Sequence, residues 1–110
     1  MCIFCKIAGG EIPAQFLYES AKVVAFRDLD PQAPVHILVI PRDHFENAAE
    51  LAAADSATIS ELFTAARELA TSEGLDGYRI AFNTGASAGQ SVFHAPLHLL
   101  GGRAFAWPPG

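Results

Sequence analysis

Gly89-Gln90-Ser91-Val92-Phe93-His94-Ala95-Pro96-Leu97-His98-Leu99-Leu100-Gly101-Gly102-Arg103 is the stretch on which the reading of this chain turns. Residues 93–100 have the aliphatic and aromatic content of a strand and stop at the glycine pair. Side chains of a strand alternate between its faces, so His94, Pro96 and His98 are expected on one face. Just upstream, Asn83 precedes Gly89-Gln90-Ser91, a turn able to aim backbone amides and a hydroxyl at an anion. Two histidines at this spacing are, by themselves, more often core or surface residues than a site. The surrounding sequence carries the weight.

Outward from this stretch, residues 78–83 read as a strand and Thr84-Gly85-Ala86-Ser87-Ala88-Gly89 as a loop of small residues. Before them comes the clearest element. From Asp55, a fitting N-cap, Ile59, Leu62, Phe63, Ala66, Leu69 and Ala70 recur at helical spacing until Gly74 supplies a stop. Residues 15–19, 22–28 and 35–40 read as three further strands, the last ending at Pro41. Residues 3–9 suit a short helical turn closed by Gly9-Gly10. The expected fold class is α+β: an antiparallel sheet of about five strands, one long helix and a short N-terminal helix.

At 110 residues the chain suits a single domain over 1–110, and 51% hydrophobic residues are enough for a core. The formal charge of -5 gives no attraction to a nucleic-acid polymer or an anionic membrane surface. A lone nucleotide differs, because amides and a few side chains can hold one phosphate without a global positive field. No apolar run approaches the roughly 18–20 residues of a membrane span. Met1-Cys2-Ile3-Phe4-Cys5-Lys6 lacks the pattern of a secretory leader, so a cytoplasmic location is expected. Two cysteines do not make a disulfide framework; Cys2 and Cys5 read as a metal half-site, a redox pair or two packed thiols.

The quoted stretch resembles the signature of the histidine triad (HIT) family, in particular its Hint-like nucleotide-binding branch. The likeness continues through Cys2-Ile3-Phe4-Cys5-Lys6-Ile7, Asp28-Leu29-Asp30-Pro31-Gln32-Ala33-Pro34-Val35-His36, Val39-Ile40-Pro41 and Trp107-Pro108-Pro109-Gly110. Several motifs in the right order cover nearly the whole chain. The resemblance implies a homodimer that binds purine nucleotides and hydrolyses bonds between the α-phosphate and an amine or other leaving group. By position, Ile12, Phe26 and Leu29 would flank the base, and Asp28 would accept from the ribose hydroxyls. Asn83, the Gly89 amide, Gln90 and Ser91 would lie at the phosphate with His98. His36 and His94 would complete the histidine cluster, and Trp107 would reach toward the partner's site.

The chain departs from the family pattern at one position. Where the motif is His-φ-His-φ-His, with φ apolar, it reads His94-Ala95-Pro96-Leu97-His98. The middle histidine is the family's nucleophile, whose ring nitrogen attacks phosphorus. Proline offers no side-chain lone pair and removes a backbone donor. Residues two apart on a strand are displaced by roughly 6.5 Å, whereas attack needs atoms about 3–3.5 Å apart. Neither His94 nor His98 is therefore expected to substitute. Hydrolysis is expected to be weak or absent, with nucleotide binding largely kept.

Some bacterial members that begin with the same Cys-x-x-Cys hold a structural zinc. By that resemblance its ligands here are Cys2, Cys5, His44 and His94, a tetrahedral set with no open position. The leading reading is thus a nucleoside monophosphate-binding HIT dimer of the AMP or GMP type with impaired turnover. The alternatives are a working phosphoramidase of the usual type, and a zinc-stabilised dimeric scaffold with a vestigial pocket.

Overall fold

The computed structural model describes residues 2–110. In chain order it contains α1 (Ile3–Ala8), β1 (Tyr18–Glu19), β2 (Val23–Arg27), β3 (Val35–Pro41), α2 (Ala48–Ala54), α3 (Ser56–Ser72), β4 (Tyr78–Ala81), a 3-10 turn (Ala86–Ala88) and β5 (Leu97–Gly101). The strands form one antiparallel sheet in the order β1-β2-β3-β5-β4. No helix among the described residues is long and apolar enough to cross a membrane.

The sheet is covered on both faces, which is why β2 and β3 read as continuous apolar runs rather than alternating ones. Val23, Ala25, Ile37, Val39, Leu97 and Leu99 pack against Leu62, Ala65, Ala66 and Leu69 of α3. Val24, Phe26, Leu38 and Ile40 point the other way, against Phe4, Ile7 and Ala8 of α1. α1 covers only part of that second face. His36 on β3 and His98 on β5 share it, and the uncovered remainder is concave.

α3 forms as its periodicity predicts. Asp55 accepts from the Thr58 amide as N-cap, and Gly74 follows the last turn at φ +70°. Phe63, expected inside, is 47% exposed and stacks obliquely on Phe82 at 6.0 Å, because the buried stripe centres on Thr58, Leu62, Ala65 and Leu69. α2 has no counterpart in the sequence reading. It buries only Leu51, so it shows no apolar period, although Asn47 capping the Glu50 amide is a local start signal.

Two strands are shorter than expected, each for a local reason. β1 keeps only Tyr18 and Glu19 of residues 15–19, since Phe16 leaves the sheet to pack against the α1 cluster. β5 begins at Leu97 rather than at residue 93. Ala95 stands at φ +38° and Pro96 has no N–H to give to the ladder, so the extended backbone is broken immediately before Leu97. The strand residues 22–28 and 78–83 are trimmed at their ends to β2 and β4. The break before β5 matters most. His94 does not share the pleated face of His98, whereas Pro96, just outside the strand, still borders the same cavity as His98.

Candidate functional site

Pairing of β3 with β5 sets Leu38 opposite His98 and His36 opposite Leu100, making His36 and His98 diagonal neighbours on one face. Their rings lie 5.2 Å apart, with His36 Nε2 2.9 Å from His98 Nδ1. The Gln32 amide donates to His36 Nδ1 at 3.0 Å. An accepting Nδ1 carries no proton, so neutral His36 holds its proton on Nε2 and gives it to His98 Nδ1. Neutral His98 then bears its own proton on Nε2. Burial lowers the pKa of both rings against the opposing pull of Asp28, and so keeps them neutral.

Asp28, His36 and His98 also lie close enough to suggest a metal set. The donor chemistry argues otherwise. Ligation through His36 Nε2 would move its proton to Nδ1, directly against the Gln32 N–H. Asp28 is better described as an acceptor at the rim: its Oδ1 takes the Asp30 amide at 2.8 Å, and Oδ2 lies 3.4 Å from His36 Nε2.

Two cavities meet at Asp28. One, of about 180 Å³, is bordered by Asn83, Gly89, Gln90, Ser91, Pro96 and His98, with Phe4, Leu38 and Val92 behind them. The other, of about 450 Å³, is apolar and lined by Ile3, Ile7, Ile12, Phe26, Leu29 and Leu38. The expected base-flanking residues Ile12, Phe26 and Leu29 thus fall together, Leu29 as a wholly exposed rim residue. Asn83, Ser91 and His98 also fall together, beside Pro96.

Gly89 and Gln90 behave differently from expectation. The Gly89 amide donates to the Ala86 carbonyl at 3.0 Å, closing the 3-10 turn with Gly89 at φ +92°, so it is not aimed at the cavity. The side chain of Gln90, 6% exposed, accepts from the Gly85 amide at 2.8 Å and donates to the carbonyls of Glu46 and Val92 at 2.7 and 3.2 Å. Gln90 therefore ties down the loop that carries the polar groups. The remaining polar lining is the side chains of Asn83, Ser91, His98 and Asp28. No lysine or arginine borders this cavity among the described residues. Trp107 is 83% exposed and stands outside both cavities.

His94, expected beside Pro96 and His98, is fully buried on the other side of the break, in a second cluster. Its Nε2 donates to the Pro41 carbonyl at 2.8 Å, which turns the Nδ1 lone pair toward Cys2, Cys5 and His44. The six distances among the two Sγ and two Nδ1 atoms are 3.1, 3.6, 3.2, 3.3, 3.3 and 3.2 Å. They describe a nearly regular tetrahedron. With edges of about 3.3 Å its centre lies about 2.0 Å from each corner, matching a zinc–nitrogen bond and slightly inside the zinc–sulfur length of about 2.3 Å. Both cysteines are free thiols. The donor set fits a closed, four-coordinate metal site of the zinc type.

The HIT domain family model matches residues 9–105. The chain belongs to the HIT family. A HIT family hydrolase from Legionella pneumophila has the same fold with a TM-score of 0.94 at 47% identity, over 100% of both chains. A hypothetical histidine triad nucleotide-binding protein from Sulfolobus tokodaii superposes with a TM-score of 0.80 at 37% identity, over 97% of this chain and 72% of its own. A 14 kDa zinc-binding protein of Zea mays is 48% identical over 111 residues, covering 98% of this chain and 87% of its own.

Within this HIT fold, the sequence reading missed Phe4, Leu38 and Val92 as cavity walls. Leu38 was readable in principle, since it lies two residues from His36 on the same strand face. Phe4 and Ile7, three apart on a short helix, signal a buried face but not what it faces.

Proposed function

We propose that this HIT protein binds a purine nucleoside 5′-monophosphate, or a derivative of one, and is disabled as a hydrolase of the family type. The base would occupy the apolar cavity between Phe26, Ile12 and α1. Asp28, the one polar residue common to both cavities, would accept from the ribose hydroxyls. Asn83, Ser91 and the His98 Nε2–H would donate to the phosphate. All three are neutral donors, consistent with the absence of lysine and arginine among the described residues lining the smaller cavity.

One observation carries the reading: Pro96 borders the same cavity as Asn83, Ser91 and His98, at the position of the family's nucleophile. Neither neighbouring histidine repairs the loss. His94 is turned into the cysteine cluster. His98 offers a proton, not a lone pair, at Nε2, because the chain of donors from Gln32 through His36 fixes its tautomer. General base or nucleophilic work needs the opposite arrangement.

The same proposal assigns zinc to Cys2, Cys5, His44 and His94. With four protein ligands it supplies no chemistry beyond cross-linking α1 to the segments before α2 and β5. A homodimer with Trp107 near the partner's site, and a cytoplasmic location consistent with two free thiols, complete it.

The test is calorimetric titration with AMP and GMP beside turnover of an adenosine phosphoramidate. Binding with negligible turnover is expected, and Pro96→His should raise turnover by at least about 100-fold. Turnover by the natural chain equal to that of Pro96→His sinks the lost-nucleophile account. Absence of binding favours a scaffold with a vestigial pocket.

A further inference from the structure

Helix α1 belongs to both clusters of functional groups. Cys2 caps it, with its Sγ accepting the Cys5 amide at 3.2 Å, and both thiols sit in the tetrahedral set. Between and beyond them, Phe4 walls the small cavity and Ile3 and Ile7 wall the apolar one. Phe4 also stands edge-on to His94 at 6.1 Å and to Phe26 at 5.8 Å. On the opposite wall, a single residue, Ala95, separates the ligand-type His94 from Pro96 of the cavity. Two walls of the pocket therefore start from members of the cluster.

A helix of six residues does not hold itself together. Its tertiary attachments here are Phe4, Ile7 and Ala8 against β2 and β3, the Arg42 guanidinium on the Ala8 carbonyl at 3.0 Å, and the cysteine cluster. Without a metal, the last of these is a set of thiol and neutral imidazole contacts, which are weak hydrogen bonds. A ligand that needs α1 docked binds more weakly in proportion to the fraction of molecules in which it is undocked.

We propose that the Cys2/Cys5/His44/His94 cluster and the nucleotide cavity act as one coupled unit through α1 and Phe4. Zinc in the cluster strengthens nucleotide binding, and nucleotide in the cavity retains zinc. This rests on the nucleotide reading given above and adds its regulation. Reciprocity is obligatory: whatever factor zinc applies to nucleotide affinity, nucleotide applies to zinc affinity.

The experiment uses the full chain. AMP is titrated into zinc-loaded and chelator-stripped protein, and zinc affinity is measured by competition with a chromogenic chelator, with and without saturating AMP. The expected result is a weakening of AMP binding by at least about 5-fold on stripping, with the same factor in the zinc competition. AMP affinities within twofold of each other in the two forms overturn the coupling while leaving the nucleotide reading intact. No AMP binding to the zinc-loaded protein overturns the nucleotide reading and the coupling with it.

If the stripped protein unfolds, Phe4→Leu decides the matter, since it keeps all four ligands and trims the shared wall. It should still carry one zinc per chain, with the effect of AMP on zinc competition reduced below twofold. An undiminished effect is ordinary stabilisation of the folded state by a ligand, and overturns the coupling through α1.

Discussion

His36 Nε2 and His98 Nδ1 lie 2.9 Å apart on adjacent antiparallel strands, joined by one proton that the Gln32 amide assigns to His36. The link does more than brace two rings. It places the proton of neutral His98 on Nε2, in a residue that borders the same cavity as Pro96. Under the proposed function, such a site would offer donors to an anion without supplying an attacking ring nitrogen. Binding and turnover would then depend on two separate features: the sheet register that joins His36 to His98, and the single side chain at position 96.

Acid should destabilise the fold from the His36–His98 pair. His36 is buried and His98 half-buried, and desolvation holds the folded pKa of both below the ordinary 6.5. A histidine with a depressed pKa takes up its proton more readily when unfolded, so stability falls as pH drops below about 6.5. The loss continues until the folded pKa is passed. Each such group adds a slope of up to about 1.4 kcal/mol per pH unit within that window. Denaturant melts of zinc-loaded protein between pH 7.5 and 5 should show this slope, and His36→Gln should flatten it. An unchanged slope in the variant would remove the pair from the account.

Gln90→Leu should loosen the loop that carries the polar lining. The substitution strips partners from the Gly85 amide and the Glu46 and Val92 carbonyls, with a cost of about 1–3 kcal/mol. Hydrogen exchange of amides 85–91 should quicken more than that of β3, and AMP affinity should fall although the Gln90 side chain is engaged with these three backbone groups. Uniform acceleration across the sheet would instead mark Gln90 as a general stability residue.

Much of this was legible in the sequence. The long helix with its Asp55 cap and Gly74 stop, and the sheet strands around His36 and His98, follow from periodicity and local turn chemistry. The family resemblance adds the membership of both clusters. What escaped was non-local. The pleat assigns His94, Pro96 and His98 to one face only if the strand runs through them, and Ala95 at φ +38° shows that it does not. Nothing in the local pattern around α2 outweighed its lack of an apolar stripe. Nor could spacing reveal that the Gly89 amide is consumed by the Ala86 carbonyl, since a glycine in a turn can present its N–H either way.

Metal content provides a direct check on the cysteine cluster. Protein purified without chelators should carry about one zinc per chain, and Cys5→Ser should lose it or bind it far more weakly. Stripping should lower the melting temperature, because α1 loses its cross-link to His44 and His94. Elemental analysis that finds no stoichiometric metal, with identical melting before and after chelator treatment, would remove the zinc assignment.

The tautomers themselves can be observed. Long-range nitrogen–proton correlation spectra at pH 7.5 should show His36 and His98 both protonated at Nε2 and bare at Nδ1. His36→Ala removes the donor to His98 Nδ1, and His98 should then populate both tautomers as a free imidazole does. In the Pro96→His protein the same spectra should leave His36 and His98 unchanged, since the restored ring enters the cavity without altering the Gln32 amide. A proton found on His98 Nδ1 in the natural chain would expose a lone pair at Nε2 and give the cavity a base. Slow water-mediated hydrolysis would then be open to it, and the donor-only account of this pocket would fail.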